Sequence, residues 1–425
     1  MSDQKSRGIK PKPVLFLRVI LVVLLVTGFT IFLEYAGWLK GFELAALDSW
    51  TRARLHLFQP SVSKNIIIVS ITDQDYQDIF AATSPLDAKG LEGVIKAIAS
   101  GKPAVIGIDI DTSDKAFRTI KTPENVSIVW AMDAAVNKEG NVNPPLPLVL
   151  GGTQPQPATG IAKLPIDDDG IVRAYVRKFG SYDSFEWRIA KTYCASLKQD
   201  PATKTQLQDT FSKLSDRCDG IDRIDKDPGP VRELSLDLIG DRSAFEHVSA
   251  RKVLDAYSAG NAEALDQMRG AIVLVGGLYY AARDEYTTPV GRMAGVELMA
   301  HSVGSELRGG GLQRPAEAIM FLLNLVGGIG ILFLFIKFGL AKGCLFSGVI
   351  IILVAPLWSL LVFSSFAYTI YFLPIFFALL VHQLYEQAHY YEHALFHELS
   401  HRGGTSQAAA EVSQASQNGE SKSAK

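Results

Sequence analysis

Four runs of apolar residues break up an otherwise mixed chain of 425 residues. Residues 14–33 are apolar except for Arg18, whose long stem can carry its charge to an interface. The other three, 316–336, 343–363 and 367–384, crowd near the C-terminus. A bilayer core takes about 20 residues of helix, so each run predicts a transmembrane α-helix. The first is too long for the core of a signal peptide, and no A-x-A site follows it at FLEYAGW, which predicts a retained anchor. Pro356 and Pro374 fall inside the last two runs and predict kinks.

Between the spans, residues 34–315 change period repeatedly. Residues 38–58 place Trp38, Phe42, Ala46 and Trp50 at helical spacing and offer Asp48 and Arg52 as an i,i+4 pair. NIIIVSITDQDY (65–76) is a β-branched run of buried-strand type. A helix-period segment, LDAKGLEGVIKAIASGK, then leads to a second such run, AVIGIDID (104–111), which together predict a βαβ unit. VSIVWAMD (126–133) and GAIVLVGG (270–277) predict further strands, and DDDGIVRAYVRKF (167–179) an acidic turn feeding a strand. FEWRIAKTYCASLKQ (185–199) and GVELMAHSVGSELRG (295–309) predict helices, whereas the polar stretch 200–230 predicts a loop-rich segment. The fold class expected is an extracytoplasmic α/β domain with a mostly parallel central sheet, plus four transmembrane α-helices, one N-terminal and three C-terminal.

Charge sets the orientation. Lys5, Arg7, Lys10, Lys12 and Arg18 in and before the first run predict a cytoplasmic basic head, 1–13. Lys337 and Lys342 predict a cytoplasmic loop between the second and third spans. Both clues place 34–315 outside and 385–425 inside, in a bacterial inner membrane with both termini cytoplasmic. With Lys+Arg 42 against Asp+Glu 44, the chain offers no global charge for nucleic acid. Cys194 and Cys218 would then sit in an oxidising compartment, where they either pair or remain buried thiols. Pairing would stabilise the fold by roughly 3–4 kcal/mol.

Carboxylates gather at the ends of the predicted strands: Asp73 and Asp75 after the first, Asp109 and Asp111 at the second, Asp284 after VLVGG. In a parallel sheet, functional groups collect at the C-terminal strand ends. These aspartates can hold a ligand or merely cap turns and helices. The glycines of VLVGG suit a sharp turn at positive φ. TPVGRMAGVE opens a helix whose amides can receive an anion or cap themselves.

The order LDSWTRARL, IIIVSITDQDY, AVIGIDI, DDDGIVR, GAIVLVGG, RDEYTTPVGRMAGVELMAHSV and three close membrane runs resembles the type-two CHASE domain. That is an extracellular sensory domain associated with cyclases and histidine kinases. The resemblance spans about residues 33–384. Its most specific pieces are Asp169-Gly170 with Arg173, and Thr288-Pro289 with Gly291 and Gly295-Val296-Glu297. It implies signal input across a membrane, with Asp73, Asp109, Asp169, Arg173, Asp284, Thr288 and Glu297 as candidate ligand contacts. The chain departs from the family at FAATSPLDAKGL (80–91), where a Trp-Pro-x-Pro-Arg-like stretch is usual and no arginine stands here.

Residues 385–402 continue the last span as a His-rich helix, and 403–425 have a disordered composition. His389, His393, His397 and His401 fall four apart, on one helix face. HELSH matches the H-E-x-x-H zinc motif, but Gln407 stands where a third histidine belongs in the longer motif, and a catalytic zinc takes three protein ligands. His393, His397 and His401 remain candidates for adventitious metal only. HELSHR also resembles the acceptor box of sensor kinases, yet the 24 residues after His401 are too few for the nucleotide domain that phosphoryl transfer needs. The expectation is a non-enzymatic membrane sensor or scaffold without cofactor. Its expected partners are the lipid bilayer and either further copies of itself or a stoichiometric membrane or cytoplasmic protein, with no nucleic acid. The alternatives are a structural subunit of a larger membrane assembly and a metal-dependent enzyme using Asp73, Asp109 and Asp284.

Overall fold

A computed structural model describes Gly28, Phe32, Ala36, Gly37 and residues 40–57, 65–134, 158–199, 208–226, 233–312 and 317–366. Most of the first predicted span, the fourth span and the His-rich helix with His393, His397 and His401 lie outside the described residues. The chain divides into two units, 46–314 with 360–369, and 1–45 with 315–359 and 370–425.

The first unit is built on strands whose sequences are almost wholly apolar. In order come helix α1 (Lys40–Leu57), β1 (Ile66–Ile71), α2 (Asp73–Asp78), α3 (Ala88–Ser100), β2 (Val105–Asp109), β3 (Ser127–Met132) and β4 (Ala158–Ile161). Then follow β5 (Ala174–Val176), β6 (Lys178–Phe179), β7 (Tyr182–Asp183), α4 (Phe185–Gln199), α5 (Gln208–Lys226), β8 (Glu233–Ser235), β9 (Glu246–Ser249), α6 (Ala250–Ser258) and α7 (Ala262–Asp266). The order ends with β10 (Ile272–Gly277), β11 (Glu285–Thr288), β12 (Gly291–Ala294) and α8 (Gly295–Arg308).

Six strands form one sheet in the order β4-β3-β2-β10-β1-β9, and every ladder in it is parallel. All six residues of β1, IIIVSI, are buried, as a strand covered on both faces requires. On one face α3 presents Leu91, Val94, Ile95 and Ile98, a helical stripe, to Ile67, Val69, Ile106 and Val273. Its start is fixed by Asp87, whose Oδ2 accepts from Gly90 N at 2.7 Å. On the other face α4 and α8 pack Ile189, Tyr193, Val296 and Val303 against Ile66, Ile68 and Leu274.

The predicted βαβ unit is parallel, but β1 and β2 are not neighbours: β10 lies between them. Register aligns Ser70, Gly276 and Asp109 across the three strands. The stretch 200–230 is not loop throughout, because α5 occupies Gln208–Lys226. Its polar surface hides the spacing of Cys218 and Ile221, both buried. Cys194 and Cys218 form a disulfide joining α4 to α5, and Lys191–Asp225 at 2.8 Å adds an ion pair between the same helices.

The second unit contains α9 (Glu317–Val349), a π-helical turn (Ile350–Val354) and the start of α10 (Ala355–Phe366). Helix α9 runs unbroken through 337–342, where a loop between spans is predicted. KFGLAK holds no proline, and a single glycine costs only about 1 kcal/mol in a helix. The π turn ends at Val354, two residues before Pro356, whose missing N–H breaks the regular ladder. Only some of the side chains of α9 are described, and among the described residues no helix is long and apolar enough to cross a membrane.

Candidate functional site

The C-terminal edge of the sheet brings two of the predicted carboxylates together. Asp109 ends β2 beside Gly276. Desolvation there, and secondarily the nearby Asp284 carboxylate, push Asp109 up to about 8. Asp284 is itself raised by burial, against a hydrogen bond from the Tyr286 hydroxyl. At neutral pH Asp109 therefore retains its proton, so it can donate a hydrogen bond as well as accept one.

The two glycine-bearing stretches make this edge by close approach. A Cβ on Gly295 would collide with the Asp284 carboxylate, and one on Gly276 would lie 2.5 Å from the Val296 Cβ. Gly276 and Gly277 are regular strand residues, not the positive-φ turn expected of VLVGG. Their missing side chains admit α8 to the sheet. The N-terminus of α8 does not await an anion either. Glu297 reaches back to accept from Ala294 N at 2.7 Å, and Gly295 N donates to the Asp284 carbonyl at 2.9 Å.

Asp73 does not join this pair in a metal site. Its Oδ1 accepts from Tyr280 N at 2.9 Å, and among the described residues no three His, Cys, Asp or Glu are placed to hold a metal ion. The metal-dependent enzyme built on Asp73, Asp109 and Asp284 thus loses its ligand set. Thr288 closes the β11–β12 turn, its Oγ1 donating to Gly291 O at 2.6 Å.

Asp169 and Arg173 serve a different contact. Arg173, 6% exposed, donates from Nε and Nη2 to Asp48 of α1 at 2.7 and 2.9 Å. Its Nη1 reaches Asp167 at 2.7 Å, and its Nη2 reaches Asp169 at 2.8 Å. Asp48 therefore does not pair with Arg52 as its spacing suggests. Arg52 Nε instead donates to the Asp48 carbonyl, because a bidentate guanidinium in a buried setting outcompetes an exposed pair. Farther along α1, Arg54 donates to Asp237 Oδ1 at 2.5 Å, and Arg308 of α8 binds Asp237 Oδ2 at 2.8 Å. Two buried ion-pair networks thus clamp α1 to the domain.

Glu186 carries no signal in the sequence that sets it apart, although it lies on the same helical stripe as Ile189, Ala190, Tyr193 and Leu197. It is fully buried, and neither carboxyl oxygen has a hydrogen-bond partner among the described residues. Burial pushes it up to about 8, against the lowering influence of its own backbone N–H and the nearby Ser184 hydroxyl, with Glu306 and Asp109 adding slightly to the rise. Glu306 is in turn gripped bidentately by Arg177 at 2.8 and 2.9 Å, and the Arg177 guanidinium stacks 4.9 Å from the Trp187 ring centre.

A family model described as the CHASE2 domain matches residues 19–341, more than half of the chain. No curated protein and no solved structure matches it.

Proposed function

The chain belongs to the CHASE2 family of sensory domains, and on that premise we propose that it is a membrane-anchored sensor without catalytic activity of its own. The observation that carries this reading is the clamp on α1. That helix begins at Lys40, a short stretch after the first predicted span, and Asp48–Arg173 and Arg54–Asp237–Arg308 fix it to the sensory domain. Any stimulus that rearranges the domain around either network moves α1, and with it the anchor to which it is joined. A buried pair is suited to a two-position contact, since breaking it by half is strongly unfavourable.

The four spans, inner-membrane placement and cytoplasmic termini belong to this reading. They are supported by the apolar runs and the basic flanks. Apolar side chains left exposed on α9, among them Ile319, Val326, Phe333 and Leu345 at 53–66%, call for lipid or protein cover without deciding the number of spans. The output passes to a further copy or to a stoichiometric partner.

Topology is tested by cysteine labelling in intact cells. A Cys placed at exposed Gln74 should react with a membrane-impermeant maleimide, and one at Ser413 should react only after permeabilisation. The reverse pattern removes the proposal. Relay is tested by gentle extraction and mass spectrometry of bound proteins. Breaking the clamp with D48A should change the occupancy of the co-purifying partner. A partner bound equally to both forms favours a structural subunit.

A further inference from the structure

Beside the clamp, α1 shows a second face. Arg52, Leu55 and His56 form one wall of a cleft of about 680 Å³, to which the segment after β8 contributes Ile239 and Asp241 and the β11–β12 turn contributes Val290. All of these residues lie in one compact unit. The size falls in the range of small-molecule sites, roughly 300–1,000 Å³.

The chemistry of the walls is mixed in a particular way. Arg52 supplies a permanent cation, with the His56 imidazole one helical turn away. Asp241 supplies an anion. The Ser243 N–H and hydroxyl, at 2.8 and 2.6 Å, hold its carboxyl below the usual range, so it stays ionised. Leu55, Ile239 and Val290 furnish apolar surface alongside these charges. A pure anion would be brought against Asp241 and a pure cation against Arg52. A wholly apolar molecule would desolvate both without compensation. A molecule that carries a cationic and an anionic group on one carbon, with an apolar body, satisfies every wall.

We propose that this cleft binds a small zwitterion of amino-acid type with an apolar side chain, its carboxylate on Arg52 and His56, its ammonium on Asp241 and its side chain against Leu55, Ile239 and Val290. The site deepens the sensor reading, because Arg52 lies between Asp48 and Arg54 on α1, and Ile239 lies two residues from Asp237. Occupancy thereby bears on the helix between its two clamps.

The full chain in lipid nanodiscs is titrated calorimetrically with L-leucine, 4-methylpentanoate and 3-methylbutylamine. The last two keep the branched body and carry one charge each. Leucine should bind at least about tenfold more tightly than either analogue. R52Q should weaken leucine and 4-methylpentanoate together, whereas D241N should weaken leucine and 3-methylbutylamine together and leave 4-methylpentanoate unchanged. V290W, which fills the cleft from a turn, should abolish binding with the thermal transition retained. No heat from leucine up to about 10 mM, a Kd of millimolar order being the weakest useful affinity, overturns the proposal. So does equal binding of 4-methylpentanoate, or unchanged binding to R52Q and V290W. Leucine that binds without altering partner occupancy defeats the relay and leaves the site standing.

Discussion

Asp109 and Gly295 show how much single positions at the sheet edge decide. The unfolded chain ionises an aspartate near its ordinary value of 3.8, whereas the fold keeps Asp109 protonated up to about 8. Between these values the folded state binds more protons than the unfolded one. Stability from this group is therefore greatest at the acid end of the window, declines as pH rises through it, and is lost fully above about 8. D109N stays neutral throughout, so urea titrations between pH 5 and pH 9 (a range chosen around the shifted value) should show a shallower decline. At the alkaline end the variant should be more stable by about 1–3 kcal/mol. Identical slopes for the two proteins would mean that Asp109 ionises freely. Gly295 is constrained by contact instead: an added Cβ runs into the Asp284 carboxylate. G295A should cost about 2–4 kcal/mol. Removing the obstacle in G295A/D284A should recover part of that loss, which thermal melts of the single and double variants measure.

At the scale of elements, α1 is held by charge more than by apolar packing. Its inward face is Leu47, Asp48, Thr51 and Arg54, all buried. R173A strands Asp48 in that interface and should cost about 3–5 kcal/mol, whereas D48A/R173A should cost less than the sum of the single changes. Additive losses in the urea-derived cycle would mean the pair is not coupled. The disulfide between α4 and α5 closes a separation of 24 residues, so reduction should lower stability by roughly 3 kcal/mol. The strands β1, β2, β3 and β10 were legible because burial on both faces leaves an unbroken apolar run, and α4 because its apolar residues recur on one face at helical spacing. Helix α5 was not, although Phe211, Leu214, Cys218, Ile221 and Ile224 recur in it at helical spacing, because polar and charged residues outnumber them; its hold comes from Cys218, Ile221 and ion pairs made by α4. The insertion of β10 between β1 and β2 is a pairing of distant segments that no local pattern encodes. The site followed the same division. Asp109 and Asp284 were visible as carboxylates at strand ends. The diversion of Arg173 to Asp48 depends on a contact 125 residues away, and Glu186 was camouflaged as an ordinary polar residue of an amphipathic helix.

For the whole molecule, the question is what covers the apolar surface of α9 and the segment after it. A continuous helix of the observed 33 residues is about 50 Å long, well beyond a bilayer core of about 30 Å. Lys337 and Lys342 lie within it. If lipid covers both 316–336 and 343–363, the chain must turn at 337–342 so that each run spans separately and both lysines reach one interface. If the helix stays continuous, only one run can lie in lipid, and the exposed Leu345, Phe346 and Val349 must be covered by protein. Spin labels at Ile329 and Ile350, in a C344S background, separate these cases. A helix rising about 1.5 Å per residue places the labels roughly 30 Å apart, whereas a hairpin brings them to within about 10–20 Å, the spacing of packed helices plus label length. The anchored sensor requires the short distance in nanodiscs. A long distance there would remove the four-span topology and make a protein partner along 343–363 the price of keeping this surface out of water.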